Sequence, residues 1–354
     1  MRSSESILII NPTRYPHLVP RLTKLAARMV PAPVRITESR SDFLGAVEEF
    51  AGGRRRYALI WGGDGTVHDA VNVLMRCRER GIDLDGKGVG FLRGGSGNGT
   101  QDSYDVPRRL RNQLRAYRAA MDGDMSVDVD LLRIRVGDHV RYGQLLGMGF
   151  DTRVLRRRLG RQEGVIPPGV FRYIYAAAGV FLSREWAHRH MALELSEGKY
   201  AFRGNRINAE FAFERIRRDV SVSLLEVGTR PYYGALFKVC PDVVCNDGLM
   251  DVYAYCFTRR FQVVRNVGAL WAGRHGVIND RLMGKRRRGV IERYEVRAAE
   301  IYAPDEEYYH VDGELLPLPP NPAERVVSLS LLPRALRFLV PASYYRLVHP
   351  FTEE

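Results

Sequence analysis

The sequence contains no apolar run of the ~18 residues that a membrane-spanning helix needs. Its longest apolar stretch, residues 169–183, is interrupted by Arg172 and is typical of a core or amphipathic helix. The first residues are polar and lead directly into an apolar strand pattern, so no secretory signal peptide is expected. We therefore expect a cytoplasmic protein that touches membranes only peripherally.

Cysteine is also scarce. The spacing of the four cysteines matches neither a zinc site nor a disulfide framework; they are Cys77, Cys240, Cys245 and Cys256. We expect them to be reduced thiols within the core.

Acidic residues are fewer than basic ones: 41 Asp and Glu stand against 54 Lys and Arg, which gives a formal net charge of +13. Such a surplus favours a polyanionic partner, either nucleic acid or an anionic bilayer surface. The aromatic signature of an RNA-recognition motif is missing, so no nucleic acid is expected. The 354 residues, 45% of them hydrophobic, fit a globular chain of two domains.

The most informative motif is Gly62-Gly63-Asp64-Gly65-Thr66, which lies between an apolar strand pattern at residues 57–61 and a helical pattern that begins at Val67. Thr66 is predicted to cap the helix, with Asp69 completing a capping box. Backbone amides of the turn and the positive end of the helix dipole would then face one point, an arrangement that binds phosphate. Asp64 would repel phosphate unless it held a cation or a proton. The alternative is a plain turn with a surface carboxylate.

Strand and helix patterns alternate through the first 130 residues. The alternation predicts an α/β fold with a doubly wound, mostly parallel sheet, whose loops collect at the carboxyl ends of the strands. Predicted strands cover residues 6–10, 34–37, 57–61 and 88–92, and predicted helices cover residues 18–29, 43–50, 67–80 and 108–121. Loops that contain Asn11, Asp64 and Ser96 would meet at one edge.

From Val127 onward the pattern alternates between apolar and polar residues and predicts a β-rich second domain. We place the nucleotide-binding domain at residues 1–130, with residues 320–354 returning to it, and the β-rich domain at residues 131–319. Residues 153–190 are basic and helical, and residues 285–288 form a second basic cluster. These are either solvated surfaces or patches that face an anionic bilayer.

The glycine motif, followed by Asp69 and Asn72, resembles the signature of the diacylglycerol kinase and sphingosine kinase group, which includes soluble bacterial lipid kinases. The five residues of the motif are shared with the NAD kinases. Gly95-Ser96-Gly97-Asn98 resembles the second nucleotide loop of the lipid kinases. Two residues depart from that loop: Arg93 replaces a usual Pro, and Gly99 replaces a usual Asp. Asp102 or Asp105 could compensate for the missing carboxylate.

Later motifs follow the order of the same group. They are Val127-Asp128-Val129, Gly147-Met148-Gly149-Phe150-Asp151, Tyr232-Tyr233-Gly234, Pro241, residues 246–252, and Val311-Asp312-Gly313-Glu314. From the residues alone, Asp312-Gly313 predicts the corner of a β-hairpin.

The resemblance implies an NAD kinase-like nucleotide domain and a β-sandwich-like domain with a cleft between them. It implies an enzyme that uses ATP and Mg²⁺ to phosphorylate diacylglycerol or another long-chain lipid alcohol at an anionic membrane surface. The implied nucleotide-binding residues are Asn11, Pro12, Thr37, Gly62, Gly63, Asp64, Gly65, Thr66, Gly95, Ser96 and Asn98. The implied catalytic residues are Glu314, as general base, with Asp64 and Asp128, and the implied ligands of a structural Mg²⁺ are the Asp247 side chain and the Val244 and Leu249 carbonyls.

Two alternatives remain at this point: a soluble phosphotransferase of the NAD kinase type, and a non-catalytic basic nucleotide- or RNA-binding relative. The sequence does not identify the lipid that is phosphorylated. It also does not distinguish a monomer from a homodimer.

Overall fold

The computed structural model describes residues 5–30, 32–159, 170–183, 186, 188–201, 210–233, 237–283 and 290–349. The predicted marker Gly234 and the basic cluster at residues 285–288 lie outside these ranges. Among the described residues, no helix is both long and apolar enough to cross a membrane. The chain divides into a first unit, Met1–Val129 with Arg334–Glu354, and a second unit, Asp130–Pro333.

The first unit is built on a parallel sheet. Its strands are β1 (Ser6–Ile10), β2 (Val34–Ile36), β3 (Tyr57–Gly62), β4 (Gly88–Arg93) and the end of the last strand, β17 (Val326–Leu339). They lie in the order β2-β1-β3-β4-β17, and every neighbouring pair is parallel. Ile9 and Ile10 are fully buried, which is typical of parallel strands covered on both faces. The predicted α/β class is confirmed.

The helices of this unit are α1 (Val19–Met29), α2 (Arg40–Gly52), α3 (Asp64–Glu79), α4 (Gly99–Ser103), α5 (Leu110–Asp122) and, after the last strand, α10 (Ala342–Val348). The capping prediction for α3 is wrong. The helix begins at Asp64 with Gly63 as its N-cap, and Gly63 makes no side-chain capping bond. The Thr66 hydroxyl instead accepts a hydrogen bond from Asn11, and Asp69 pairs with Arg40 on α2.

The second unit is rich in antiparallel strands. They are β5 (Ser126–Val136, which begins in the first unit), β6 (His139–Gly143), β7 (Leu145–Gly149), β8 (Arg189–Ala201), β9 (Glu210–Val222), β10 (Leu224–Gly228), β11 (Tyr232–Tyr233), β12 (Phe237–Lys238), β13 (Met250–Tyr255), β14 (Ile291–Tyr302), β15 (Tyr308–Val311) and β16 (Glu314–Pro317). The main path runs β16-β15-β7-β10-β13-β14-β17, and β8 pairs with both β14 and β9. This agrees with the β-rich domain that the sequence predicts.

The sheet of the second unit has a different environment on each face. Leu225 and Val227 of β10 point into one apolar cluster, whereas Leu224 points into another that includes Tyr253 and Tyr255. Glu226 alternates with these residues and therefore shares the face of Leu224. The side chains on that second face decide much of the unit's chemistry.

Two helices of the second unit were predicted in outline, and two were missed. Helices α6 (Phe150–Leu159) and α7 (Val170–Leu182) lie within or overlap the predicted helical stretch, but α8 (Arg260–Trp271) and α9 (His275–Met283) lie where the sequence predicted strands. The sequence pattern failed to predict α8 because apolar residues occupy its exposed face as well as its buried face. This weakens the helical period of the hydrophobic pattern.

The return of the chain to the first unit begins later than residue 320. Residues Val326 to Ser330 of β17 pair with β14 of the second unit, and only Arg337 and Phe338 pair with β4. Residues 320–333 therefore belong to the second unit. The single strand β17 pairs with β14 at its start and with β4 near its end. The sequence composition does not change within this strand, so it does not mark the boundary between the two units.

Candidate functional site

The loops that follow β3 and β4 are in direct backbone contact. The Gly94 amide donates to the Gly62 carbonyl at 2.9 Å, and the Asp64 amide donates to the Gly97 carbonyl at 3.3 Å. A Cβ atom at Gly63 would lie 2.7 Å from the Gly95 Cα and 3.0 Å from the Gly97 carbonyl oxygen. The glycines are therefore required because the two loops pack without room for a side chain.

Asp64 lies at the junction of these loops, in the first turn of α3. Its Oδ1 accepts a hydrogen bond from the Thr100 amide at 3.2 Å. The Oδ2 would lie 2.6 Å from a Cβ placed on Gly97. A carboxylate is electrostatically favourable at a helix N-terminus, and its position between two glycine loops suits it to hold a cation beside bound phosphate.

The loop after β1 contributes Asn11. Its amide nitrogen Nδ2 donates to Thr66 Oγ1 at 3.2 Å, and its backbone amide donates to the Trp61 carbonyl at 3.1 Å. The structure thus brings Asn11 to the start of α3, and Pro12 follows it directly in the loop. Thr37 is different: it is buried, and its hydroxyl donates to the Ile10 carbonyl at 3.0 Å. That side chain is committed to the protein's own backbone.

The second glycine loop is held by Asn98. Its Nδ2 donates to the Gly95 carbonyl at 2.8 Å, and its Oδ1 lies 3.3 Å from the Gly95 amide, so the side chain closes the loop on itself. Ser96 is half-buried at the tip of this loop. Loops from the carboxyl ends of β1, β3 and β4 therefore meet at one edge, with amides and a helix N-terminus available to an anion.

The two departures from the lipid-kinase loop are accommodated locally. Arg93 reaches Asp102 Oδ1 at 2.5 Å and the Val106 carbonyl at 2.9 Å, so the Asp102 carboxylate serves to neutralise Arg93. Gly99 opens α4, and the amide of the next residue, Thr100, bonds Asp64. Asp102 of α4 is therefore paired with Arg93 at the end of β4 and does not replace the carboxylate that Gly99 lacks.

The structure does not bring Asp128 to Asp64. Asp128 is exposed and lines a hollow of about 300 Å³ together with Asp85, Gly86 and Lys87, which precede β4. Asp64 and its loops lie at the opposite end of β4. Asp128 therefore does not share a cation with Asp64.

Asp130, two positions after Asp128, is the buried aspartate of this strand. The valine-aspartate step occurs twice in the sequence, as Val127-Asp128 and as Val129-Asp130, and only the second aspartate is fully buried. Its Oδ2 accepts a hydrogen bond from the Gly248 amide at 2.7 Å, and its own amide donates to the Cys245 carbonyl at 2.7 Å. The repeated step is the signal from which Asp130 could have been found.

Asp130 thereby fixes the turn that contains the predicted metal ligands. Asp247 Oδ1 accepts from the Leu249 amide at 3.0 Å. Burial raises the pKa of Asp247, and the neighbouring Glu295 and Asp130 carboxylates raise it further. A bound cation would relieve this concentration of negative charge. The Asp247 carboxylate with the Val244 and Leu249 carbonyls is an oxygen-only set that suits Mg²⁺.

The predicted hairpin at Asp312-Gly313 is confirmed. Both residues have positive φ, 51° and 90°, and Val311 pairs with Glu314 across a two-residue turn. Asp312 is buried, where it accepts from the Arg230 guanidinium at 3.0 Å and from the Gln144 amide. This pair anchors the turn, and Glu314 is half-buried at the first position of β16.

A cluster of three buried ionisable side chains lies on the second face of the same sheet. Asp151, Glu226 and His310 have their potential ligand atoms within 4.8 Å of one another. His310 Nε2 contacts Asp151 Oδ2 and lies 3.8 Å from Glu226 Oε1. A Cβ at Gly147 would overlap Asp151 Oδ2 and His310 Nε2 and would lie 2.8 Å from Glu226 Oε1. Glycine at this position therefore leaves the space that the cluster occupies.

Burial and neighbouring charge shift the pKa of two groups in this cluster, His310 and Glu226. Burial alone would lower the pKa of His310, but the Asp151 and Glu226 carboxylates outweigh it and raise that pKa to about 10. Burial and the Asp151 carboxylate raise the pKa of Glu226 well above its usual range. The Gly313 amide lies 3.4 Å from His310 Nδ1, a weak contact that joins the cluster to the hairpin of Glu314. Sequence reasoning identified only Asp151, since the other two stand on separate strands in unremarkable contexts.

Two protein-family models match the chain. The model described as the diacylglycerol kinase catalytic domain matches residues 7–132, and the model described as the YegS C-terminal NAD kinase beta sandwich-like domain matches residues 145–340. Together they span both structural units.

Individual proteins show the same likeness. The chain is 22% identical to the "probable lipid kinase YegS-like" of Klebsiella pneumoniae (strain 342), over 95% of this chain and 96% of that protein. It is 27% identical to the diacylglycerol kinase of Mycobacterium tuberculosis (strain ATCC 25618 / H37Rv), over 80% and 76%. A crystal structure of a diacylglycerol kinase from Bacillus anthracis (strain Sterne) superposes with a TM-score of 0.60 at 16% identity, over 96% of this chain and 97% of that one. At that identity the superposition shows the fold alone.

Proposed function

Since the chain belongs to the diacylglycerol kinase and YegS family of lipid kinases, we propose that it transfers the γ-phosphate of ATP to the hydroxyl of diacylglycerol or another long-chain lipid alcohol. The family includes relatives named lipid kinase and diacylglycerol kinase. We further propose that it works in the cytoplasm at an anionic membrane surface, without nucleic acid as a partner.

The observation that carries this proposal is the contact between the two glycine loops around Asp64. Phosphoryl transfer requires positioning and charge neutralisation more than covalent participation by the protein. Gly63 and Gly95 approach so closely that backbone packs against backbone there, and α3 begins at the same point. Amides and a helix dipole in this arrangement would bind the phosphates of ATP, with Asn11 and Ser96 beside them.

Two sites fit Mg²⁺. Asp64 would hold the ion that accompanies ATP, and Asp247 with the Val244 and Leu249 carbonyls would hold a second, structural ion. When bound beside ATP, Mg²⁺ neutralises charge on the phosphates.

Glu314 is the proposed general base. The proton of the lipid hydroxyl passes to its carboxylate while the oxygen forms a bond to the γ-phosphorus. The bond from that phosphorus to the bridging oxygen breaks, and ADP leaves. The Asp312–Arg230 pair holds the turn from which Glu314 projects.

The test is a transfer assay with γ-labelled ATP, Mg²⁺ and diacylglycerol in mixed micelles. We expect Asp64→Ala to lose at least roughly 10³-fold in kcat, because removal of a group that neutralises transferring phosphate costs several kcal/mol. Asp122→Ala is the matched control, since Asp122 forms only an exposed pair with Arg118 on α5. Wild-type-like turnover by Asp64→Ala would refute the proposed cation site. Labelling of NAD instead of lipid would identify the chain as a phosphotransferase of the NAD kinase type.

A further inference from the structure

Helix α8 has an apolar face on the outside as well as on the inside. Asn266, Ala269 and Leu270 are buried on the inner face. The outer face carries four large apolar side chains that are substantially exposed. Their exposed fractions are 69% for Phe261, 55% for Val264, 55% for Val267 and 46% for Trp271. Their spacing of three, three and four residues places them along a single side of the helix. A helix of a water-facing surface normally has polar residues there.

Helix α7 also carries exposed apolar residues, and its end contacts the start of α8. The Arg260 guanidinium donates to the carbonyls of Leu182 at 3.4 Å and Ser183 at 2.5 Å, so α8 begins where α7 ends. Leu182 is 74% exposed, and Ile174 and Tyr175 on the same helix are each 49% exposed. The outer face of α8 together with these three residues of α7 is called the α7–α8 surface below.

Basic residues predominate along the α8 segment of the sequence. Between Cys256 and Asn279 the sequence contains no Asp or Glu, whereas it contains Arg259, Arg260, Arg265 and Arg274. Arg265 and Arg274 are exposed beside the apolar stripe. An apolar face with aromatic residues, bordered by arginine, is the composition of helices that lie in the interface of an anionic bilayer. Each arginine near such a surface adds ~1 kcal/mol of attraction.

We propose that the α7–α8 surface docks this protein on an anionic bilayer, with Phe261 and Trp271 entering the interface and Arg265 and Arg274 contacting lipid headgroups. The choice of a bilayer as partner rests on the proposed lipid-kinase function, but docking itself requires no catalysis. A symmetric contact with a second copy of the chain is disfavoured, because it would bring the same arginines together without acidic residues to pair them.

Docking is measured by co-sedimentation with vesicles of phosphatidylcholine and phosphatidylglycerol. We expect Phe261→Ser/Trp271→Ser to bind at least ten-fold more weakly than wild type. Arg265→Gln/Arg274→Gln should also weaken binding, and this loss should shrink as salt is raised. Vesicles of phosphatidylcholine alone should bind the wild type more weakly than the anionic vesicles do.

Two matched controls lie in the first unit. Leu347→Ser alters an apolar residue of α10 that is 70% exposed, and Arg21→Gln/Arg28→Gln removes two exposed charges from α1. Both should bind vesicles as the wild type does. Unchanged binding of Phe261→Ser/Trp271→Ser would overturn the proposal. The proposal would also be overturned if light scattering showed that the wild type is a dimer and that Phe261→Ser/Trp271→Ser is a monomer.

Kinase assays separate failure of docking from failure of the proposed function. In mixed micelles the variants of α8 should keep the wild-type kcat, and in vesicles their activity should fall in proportion to binding. If no lipid is phosphorylated by any form of the protein while vesicle binding still depends on Phe261 and Trp271, the docking surface stands and the proposed activity is refuted.

Discussion

The glycine-loop edge of the first unit and the buried ionisable cluster of the second unit are built in opposite ways. At the edge, Gly63 and Gly95 bring backbone against backbone, and the missing side chains create the site. In the cluster, Gly147 also provides room, but three ionisable side chains fill it. The first region depends on main-chain geometry that water can reach, whereas the second depends on charges enclosed in the core. Substitutions at the glycine-loop edge should therefore lower activity, whereas substitutions in the buried cluster should lower stability.

The largest effect is expected from removing a buried cation. Arg230→Ala leaves the Asp312 carboxylate without the guanidinium that neutralises it in the core, and should lower the free energy of unfolding by about 3–5 kcal/mol. Arg56→Ala is the matched change in the first unit. Asp124, its partner, is partly exposed and keeps Tyr57 and Arg337 as neighbours, so the expected loss is under about 1 kcal/mol. Equal losses in urea denaturation would remove the contrast between the two units.

The next effect is on catalysis. Gly63→Ala places a Cβ 2.7 Å from the Gly95 Cα and must separate the two loops. We expect roughly 10²-fold loss of kcat, because a displacement of about 1 Å at a reacting centre has that consequence. The melting temperature should change little, since the loops lie at the edge of the sheet. Gly45→Ala in α2, where a Cβ meets nothing within 4 Å, should retain activity. Comparable activity of the two variants would contradict the role given to the loop contact.

The same substitution in the second unit should act on stability. Gly147→Ala forces a methyl group against Asp151, His310 and Glu226. A loss of about 1–3 kcal/mol is expected, as for other overpacked cores. Gly268→Ala, which has open space around its Cβ and lies within α8, should instead gain about 0.5–1 kcal/mol. Thermal denaturation of both variants provides the measurement, and a stable Gly147→Ala protein would show that the cluster adapts.

The remaining effect is a pH dependence, which a substitution reveals only as a change in slope. The neighbouring carboxylates outweigh burial and raise the pKa of His310 to about 10, above the ~6.5 of an unfolded histidine. A raised pKa means that the folded state binds the proton more tightly, so its contribution to stability is fully present below pH ~6.5 and is lost as pH rises towards 10. Denaturant midpoints should fall more steeply over this window in the wild type than in His310→Gln. Parallel pH profiles would show that His310 does not hold its proton in the folded state.

Local patterns of the sequence were sufficient where neighbours along the chain decide the structure. Asp312-Gly313 predicts its hairpin because two consecutive residues with positive φ are needed there, and the structure has them. Gly62 to Thr66 predicts a sharp strand-to-helix turn, although its glycines are needed for the close approach of the two loops and not for positive φ. The N-cap was misplaced because Thr66 bonds Asn11, a residue that lies 55 positions away in the sequence.

The choice between Asp128 and Asp130 shows the limit of such patterns. Both follow a valine in the same strand, and they are two positions apart, so a period-two pattern places them on the same face. Their environments differ because the turn at Gly248 packs over Asp130 and not over Asp128. That contact joins positions 118 residues apart, and no local pattern contains it.

The sequence by itself determined the alternation of strand and helix, the glycine loops, the hairpin of Glu314 and the family to which they belong, since each depends on residues close together in the chain. Only the tertiary structure decided which aspartate is buried, how Asp151, Glu226 and His310 meet, and that α8 presents apolar residues outward. The physical reason is that burial and the pKa of an ionisable group depend on whatever distant segments pack around it, and these are fixed only when the sheet assembles.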